Sequence, residues 1–267
     1  MRLSSLLPFA SNDARALKKQ LRRAKEGLGL LAQREITDAL ARQMLKGKGA
    51  HRDPAVAALV EDGVLNRRVF GHKPAPVLDF YQRALIDAAP PPSSILEIGV
   101  KSGGSLMLWR SLFPKAKIVG IDIDLSRSTR DDSIVYIEAD QSDAARLEEI
   151  GREHGPFDLV IDDGSHVVAH QLISLRSLFD HVSPGGLYVV EDVESPLLPN
   201  GDQYGANVWP DFVAMVFRYK QAEAVKNRDR VRLDSDSEAT ALALAIAPRV
   251  TDLIVSFHLF ALRRADR

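Results

Sequence analysis

The chain has 267 residues, of which 45% are apolar, and its formal net charge is −1. This is enough for one α/β domain with its own hydrophobic core and an N-terminal extension. The sequence contains no cysteine, which excludes disulfides, thiolate metal sites and cysteine nucleophiles. No run approaches the roughly 18 uncharged apolar residues of a membrane span, and the opening stretch is too short for a signal sequence, so we expect a cytoplasmic protein.

The N-terminal part is basic and has a helical pattern. Residues 1–52 carry 12 Lys and Arg against 4 Asp and Glu. Apolar residues recur at helical spacing over 14–32 opposite a basic arc, and further helical patterns follow at 35–46 and 54–61. The first of these helices lacks aromatic anchors and contains two glycines. We therefore expect it to pack on the main domain or on another subunit of a homo-oligomer, and not on a membrane.

Strand and helix patterns alternate from residue 93 onward. This alternation predicts an α/β, Rossmann-like domain over 93–267 with a doubly wound, mostly parallel sheet, preceded by a helical extension and cap over 1–92. The helix predicted at 77–88 ends at three prolines. The predicted strands are 94–100, 117–123, 134–140, 157–163 and 186–193. The later predicted helices are 104–113, 143–152, 167–181, 207–228 and 235–248, and 250–263 is predicted to form one or two terminal strands.

A glycine turn follows the first predicted strand. Gly99, Gly103 and Gly104 lie in the pattern E-x-G-x-x-x-G-G-S, which starts at Glu97 and ends at Ser105. Their spacing differs from the G-x-G-x-x-G of dinucleotide folds, which argues against a pyrophosphate-binding turn. Glycine permits positive φ and the close approach of a ligand, and Ser105 offers an N-cap hydroxyl or a ligand contact. The turn suits the binding of a nucleoside ligand. The alternative is that the glycines are needed only for the close packing of the chain at this turn.

The second predicted strand brings an acid to the same edge of the sheet. It leads to Asp122, whose carboxylate can accept hydrogen bonds from two ribose hydroxyls. The glycine turn and this spaced acid together resemble the cofactor site of class I S-adenosylmethionine-dependent methyltransferases. That resemblance implies S-adenosylmethionine as the cofactor, with its methionine part over the glycine turn, its ribose on Asp122 and its adenine near Asp140 and Gln141.

Acidic residues also close the strands predicted at 157–163 and 186–193. If these strands are neighbours, the carboxylates of Asp163, Glu191 and Asp192 converge. Clustered carboxylates repel one another unless a cation compensates, so we expect Mg²⁺, or Mn²⁺, among them. Any one of these acids taken alone could instead cap a helix or face solvent. Period-two alternation sends Asp162 and Asp163 to opposite faces, as it does Glu191 and Asp192, which leaves open which of each pair binds the metal.

His166 follows Asp163 in the predicted loop and is a candidate general base, because an imidazole accepts protons near neutrality. The alternative is a helix-capping or exposed histidine. The run Asp-Asp-Gly-Ser-His that ends at His166, followed by Glu191 and Asp192, resembles the metal-dependent sugar O-methyltransferases of macrolide biosynthesis, the mycinamicin and macrocin type. By that resemblance Asp163, Glu191 and Asp192 bind Mg²⁺, and His166 removes a proton from a sugar hydroxyl.

The expected function is therefore a Mg-assisted, S-adenosylmethionine-dependent O-methylation of a hydroxyl on a sugar or glycosylated small molecule. A catechol-type O-methyltransferase and a non-catalytic cofactor-binding subunit with a methyltransferase fold stay open as alternatives. An iron oxygenase is disfavoured, because its 2-His-1-carboxylate triad needs a second well-placed histidine. Nucleic acid is not expected as a partner, because residues 158–211 carry 9 Asp and Glu against 1 Lys or Arg and would repel phosphate.

Overall fold

The computed structural model describes residues 73–87, 90–128, 130–226 and 237–266. The helices predicted before residue 72 lie outside this part of the chain. The division into a helical extension and a main domain stays a prediction. Among the described residues, no helix has both the length and the apolar character needed to cross a bilayer.

The described elements alternate as the sequence predicts. The strands are β1 (Ser94–Ile98), β2 (Lys117–Asp122), β3 (Val135–Glu138), β4 (Phe157–Asp162), β5 (Val182–Glu191), β6 (Val250–Val255) and β7 (Leu259–Arg264). The α-helices are α1 (Ala75–Tyr81), α2 (Gly104–Leu112), α3 (Ala144–His154), α4 (Val168–Leu178), α5 (Trp209–Ala224) and α6 (Glu238–Ile246). Shorter helical turns are a π-helix at Gln82–Asp87 and 3₁₀ turns at Phe179–His181, Ser195–Leu197, Gly201–Tyr204 and Ala247–Arg249.

The seven strands form one sheet in the order β3-β2-β1-β4-β5-β7-β6. Strand β4 pairs in parallel with β1 and β5, whereas β7 pairs antiparallel with β5 and β6. The predicted α/β fold with a mostly parallel sheet is confirmed. The strand order reverses at β1, because β2 lies on one side of it and β4 on the other. In open α/β sheets ligands bind beyond the carboxyl ends of the strands at such a switch point.

The chain divides into two compact units. The first contains the described residues up to 93 together with 100–120 and 124–137. Its core includes an edge-to-face contact between the rings of Tyr81 and Trp109, whose centroids lie 4.8 Å apart. The buried ammonium of Lys73 lies 5.8 Å and 6.0 Å from the centroids of these two rings. Cation–π attraction to both rings helps to offset the cost of burying this ammonium.

The second unit contains 94–99, 121–123 and the described residues from 138 onward. Strand β4 and the second half of β5 are almost continuously apolar and buried, as strands covered on both faces must be. Strand β5 begins at Val182 and ends at Glu191, earlier at both ends than predicted. Asp192 is therefore the first residue beyond the strand, where a change of backbone direction becomes available to it.

The C-terminal part of the second unit covers the outer edge of β5. Strands β6 and β7 form an antiparallel hairpin, so the region predicted to form one or two strands over 250–263 forms two. Helix α5 packs against β7 through an aromatic cluster in which Trp209, Phe212 and Phe260 have ring centroids 4.9 to 5.6 Å apart. Helix α6 is capped by Ser237, whose hydroxyl oxygen accepts from the Thr240 N–H at 3.2 Å. This hydroxyl satisfies one of the donors that a helix start leaves unpaired.

Candidate active site

Gly99 directly follows β1 at the switch point and lies against the backbone that follows β4. Its φ is +97°, and a Cβ built there would lie 2.0 Å from the carbonyl oxygen of Asp163. The Gly99 N–H donates to the Ile121 carbonyl at 2.8 Å, and the Asp163 N–H donates to the Ile98 carbonyl at 3.0 Å. Only glycine fits here, because a side chain would meet both backbone strain and a backbone clash. Close packing against the Asp163 backbone therefore requires glycine at position 99, whether or not a ligand also approaches it.

The rest of the glycine turn belongs to the first unit. Gly103 has a φ of +82° and is the N-cap of α2, without a side-chain cap bond. Its N–H donates to the Val100 carbonyl at 2.7 Å. Helix α2 then starts at Gly104, and Ser105 is buried inside its first turn. The N-cap role considered for Ser105 is therefore wrong, because the positive φ that ends the turn needs glycine at the cap.

The residues predicted for the nucleoside lie at strand ends. Glu97 is fully buried on β1, and Asp122 is half-buried at the end of β2, with its carbonyl accepting from the Ala139 N–H at 2.9 Å. Asp140 is exposed just after β3. The Ser142 N–H and then its hydroxyl, both 2.7 Å away, donate to the Asp140 carboxylate and lower its pKa. Asp122 and Asp140 are thus at the ends of β2 and β3, as predicted.

Asp163, His166 and Asp192 come together beyond the ends of β4 and β5. One ligand atom of each lies within 4.8 Å of the other two, and all three residues are half-buried. His166 Nε2 lies 3.5 Å from Asp192 Oδ2. The parallel pairing of β4 with β5 places both acids at one edge of the sheet. Of the three carboxylates predicted to converge, those of Asp163 and Asp192 belong to this group, together with His166, and Glu191 does not.

Two residues of this cluster have unusual backbone geometry. The φ of His166 is +60° and that of Asp192 is +53°, a region that side chains other than glycine rarely adopt. Such conformations cost about 1 to 3 kcal/mol each and concentrate at functional sites. The two carboxylates, partly open to solvent, are the hard oxygen donors that Mg²⁺ or Mn²⁺ prefers, with coordination positions left for water or a substrate hydroxyl. The donor set therefore fits the predicted metal.

Gln141 lies after β3, as predicted, but its side-chain amide forms hydrogen bonds with other groups of the protein. Its Nε2 donates to Asp162 Oδ1 at 2.7 Å and to Ser174 Oγ at 3.0 Å. Its Oε1 accepts from the Ser165 N–H at 2.9 Å. The residue is buried, with 6% of its surface exposed. Both N–H groups and the carbonyl of this amide are therefore occupied by protein partners.

Asp162, the last residue of β4, lies in a buried polar pocket beneath the cluster. It has no exposed surface, and burial raises its pKa to about 6, although hydrogen bonds from Ser174, the Gly164 N–H and Gln141 oppose that rise. Tyr188 on β5 is also fully buried. Burial, and then the nearby Asp162 carboxylate, raise the pKa of its phenol well above the usual value. Of the Asp162 and Asp163 pair, the residue on the strand is buried and the one beyond it belongs to the cluster.

The same difference separates Glu191, which is buried on its strand, from Asp192, which lies beyond the strand in the cluster. Glu191 is 2% exposed at the end of β5, and its carbonyl accepts from Gln171 Nε2 at 3.0 Å. Gln171 Oε1 in turn accepts from the indole Nε1 of Trp209 at 3.2 Å. Neither Gln171 nor Trp209 was singled out from the sequence. The available signal was the recurrence of the polar residues Gln171, Ser174 and Ser177 at a spacing of three among the buried residues of α4.

A second residue that sequence reasoning missed is Tyr204. Its ring lies edge-on to that of His166, with centroids 6.4 Å apart and an interplanar angle of 61°. It ends the 3₁₀ turn Gly201–Tyr204, between the strand predicted at 186–193 and the helix predicted at 207–228. An aromatic ring beside the candidate base limits the positions that the imidazole can take. A tyrosine in a glycine-flanked loop gave no periodic signal.

The family of the chain follows from its sequence match. Residues 74–230 match the family model described as rhamnosyl O-methyltransferase/CmcI. The chain belongs to this family. The matched range contains the glycine turn, the candidate cluster and Tyr204. The resemblance to S-adenosylmethionine-dependent sugar O-methyltransferases that the sequence motifs indicated is confirmed.

Relatives and solved structures agree with this assignment. The mycinamicin VI 2''-O-methyltransferase of Micromonospora griseorubida is 38% identical over 207 residues, which cover 74% of this chain and 48% of that protein. The MycE methyltransferase from the mycinamycin biosynthetic pathway, solved with Mg and SAH, is 30% identical with a TM-score of 0.55, over 71% of this chain and 49% of that one. Its complex with Mg, SAH and mycinamycin VI is 28% identical with a TM-score of 0.58, over 97% and 63%. The chain thus spans about half the length of the curated relative.

Proposed function

We propose that this protein is an S-adenosylmethionine-dependent, Mg-assisted O-methyltransferase that acts on a hydroxyl of a sugar or glycosylated small molecule. The observation that carries the proposal is the cluster of Asp163, His166 and Asp192 at the sheet edge of a chain in this family. The related MycE structure contains Mg, SAH and mycinamycin VI, a set of ligands consistent with this chemistry.

In this proposal the cluster residues have separate roles. Asp163 and Asp192, with Glu191 as the third ligand predicted from the sequence, hold the cation. His166 is the base. Methyl transfer forms a C–O bond and breaks a C–S bond, so the hydroxyl must lose its proton. The Nε2 atom of His166 accepts that proton, and the adjacent Asp192 carboxylate, 3.5 Å away, stabilises the imidazolium that results. Bound to these acids, Mg²⁺ would acidify the hydroxyl, and S-adenosylmethionine would supply the methyl group.

The cofactor contacts in this proposal are those predicted from the sequence. They are Glu97, Gly99, Gly103, Gly104, Ser105, Asp122 and Asp140. Gln141, also predicted as a contact, has its side-chain amide bonded within the protein, which leaves its backbone as the part that faces the cofactor in this proposal. The proposed partner is a glycosylated small molecule and not nucleic acid, because the segment that carries the cluster is strongly acidic. A homo-oligomer through the N-terminal helices and a cytoplasmic location stay part of the proposal.

A methyl-transfer assay tests the proposed function. The purified protein is incubated with methyl-labelled S-adenosylmethionine and a panel of glycosides and catechols, first in EDTA and then with Mg²⁺ or Mn²⁺ added. We expect methylation of a glycoside that EDTA abolishes and either metal restores. Full activity in excess EDTA would remove the metal from the proposal. A preference for catechols would support the catechol-type alternative, and binding of S-adenosylhomocysteine without any turnover would indicate a non-catalytic subunit.

A further inference from the structure

Three parts of the second unit meet at one buried amide. Gln141 follows β3, Asp162 ends β4, and Ser174 lies on α4. The amide nitrogen of Gln141 donates to the other two side chains, and its oxygen accepts the backbone N–H of Ser165. Turning the amide over would place its oxygen against the Asp162 carboxylate and its NH₂ group against the Ser165 N–H. Both arrangements are repulsive, so these partners determine the orientation of the amide.

The Ser165 bond holds the short loop that carries two of the three cluster residues. Ser165 stands directly before His166, whose backbone has a φ of +60°. The Ser165 hydroxyl accepts from the Val167 N–H at 3.3 Å and lies 3.0 Å from His170 Nδ1. An unfavourable φ persists only where surrounding contacts hold it in place. The Gln141 amide supplies one such contact immediately next to the strained residue.

Gly164 shows how closely Gln141 approaches this loop. A Cβ at position 164 would lie 2.4 Å from Gln141 Oε1 and 3.0 Å from Ile98 Cγ2. The backbone at 164 therefore reaches the amide only because no side chain intervenes. This steric requirement gives a structural reason for glycine at 164, between the two residues assigned to metal and base. It also provides a second way to disturb the same hydrogen bond.

We propose that Gln141 is a positioning residue, which fixes the loop of Asp163 and His166 through the Ser165 N–H and does not contact the cofactor with its side chain. The inference rests on the proposed function for its catalytic consequence only. Without the amide, the Ser165 N–H and the Asp162 carboxylate lose a buried partner, and the loop relaxes towards ordinary φ values. A displacement of about 1 Å at a reacting group can lower a rate by about 10²-fold.

The test is Gln141→Met, which keeps the length and unbranched shape of the side chain and removes its hydrogen bonds. We expect kcat to fall by roughly 10- to 100-fold, with the Kd for S-adenosylhomocysteine changed by less than about three-fold. Hydrogen exchange at the Ser165 amide should become at least ten-fold faster. Gln82→Met is the matched control, since Gln82 is a buried glutamine of the first unit. It should leave kcat and exchange at Ser165 within about three-fold of the wild type.

Hydrogen exchange at Ser165 separates this inference from the proposed function. If the wild type methylates no acceptor, the exchange measurement still decides whether Gln141 holds the loop. If Gln141→Met does not fold, Gly164→Ala should show the same faster exchange, because its Cβ pushes on the same amide. Unchanged exchange in a folded variant would overturn the inference. So would a loss of S-adenosylhomocysteine affinity as large as the loss of kcat, because Gln141 would then be a cofactor contact.

Discussion

The segments that follow β4 and β5 both carry residues of the candidate cluster, but the protein holds them differently. The segment after β4 is a short loop whose backbone is bonded to Ile98 and to the Gln141 amide, in contact with Gly99. The segment after β5 is a series of turns that runs to Tyr204. Its bonds to the rest of the unit include one from the Val193 N–H to the His258 carbonyl at 3.3 Å.

Exposure differs between these segments as well. Leu197 and Leu198 in the segment after β5 are 71% and 50% exposed. Segments with few buried apolar contacts open and rearrange at a lower free-energy cost than segments bonded into a core. The comparison indicates a division of tasks in the proposed enzyme. The β4 loop is held around the candidate base, and the β5 segment presents apolar side chains to solvent next to the cluster.

The largest expected effect comes from the β4 loop. His166→Ala should lower kcat by about 10² to 10⁴-fold, the usual range for loss of a general base, while S-adenosylhomocysteine and metal affinity change little. His170→Ala is the control and should change kcat only a few-fold. If His166→Ala instead mainly lowers the unfolding temperature, the histidine is structural.

Alanine substitutions at Gly99 and Gly205 test whether the β4 loop is packed more tightly than the β5 segment. Gly99→Ala should lower the free energy of unfolding by about 3 to 5 kcal/mol, because it adds a backbone clash to the strain of a positive φ. Gly205→Ala has a similar φ of +87°, but its Cβ would meet nothing closer than 4.0 Å. It should cost only the strain, about 1 to 3 kcal/mol. Urea unfolding of both variants measures the difference, and equal losses would contradict the tighter packing of the β4 loop.

The metal ligands test each segment separately. Asp163→Asn and Asp192→Asn each remove one carboxylate charge, and asparagine tolerates the positive φ at 192. Each should weaken Mn²⁺ binding by about 10-fold or more, the scale for disturbing a metal site, as followed by electron paramagnetic resonance. Asp202→Asn, an exposed acid of the β5 segment, should leave affinity unchanged. Retained affinity in both cluster variants would remove the metal from this cluster. A matching loss in Glu191→Gln would support the third ligand predicted from the sequence.

The smallest effect concerns the acid buried beneath the cluster. Burial raises the pKa of Asp162 to about 6, so the folded protein holds this proton more tightly than the unfolded chain. The group therefore adds stability below about pH 4, and that stability is lost as the pH rises through about 6. In Asp162→Asn the side chain cannot ionise, so this loss of stability with rising pH does not occur. In EDTA it should raise the free energy of unfolding at pH 8 by about 1 to 2 kcal/mol relative to the wild type, and by less at pH 5.

A gain from Asp162→Asn that is equal at pH 5 and pH 8 would contradict the titration of this carboxyl group. Asp202→Asn is again the control variant, since that residue is an exposed acid outside the buried site.

Periodicity predicted the parts of the fold that packing alone determines. The strand and helix order came from apolar runs and glycine or proline breaks, and most predicted boundaries fall within a few residues of the observed ones. The position of β7 between β5 and β6 could not be predicted, because local pattern carries no information about which distant strand pairs with which. For the same reason the link between Gln141 and Ser165 was invisible in the sequence.

The sequence could predict those residues of the candidate site that lie at or just beyond the ends of strands. Asp163, His166 and Asp192 were found because acids and a histidine at the ends of neighbouring strands must converge. The buried or half-buried state of each acid depends on where a strand ends, and β5 ends before Asp192. The positive φ of His166 and of Asp192 could not be predicted from residue type, because most histidines and aspartates have negative φ even though both types are enriched among the exceptions.

The position of β7 also affects how the molecule is made. Residues Leu187 to Glu191 pair along their outer edge with β7, which comes last in the sequence among the strands that the structure describes. While the protein is being synthesised, this edge of β5 stays open until Leu259–Arg264 has emerged. Pairing between strands so distant in sequence is slow, and an open apolar edge can recruit other chains. Completion of the sheet by β7 therefore protects this edge of β5 from pairing with other chains.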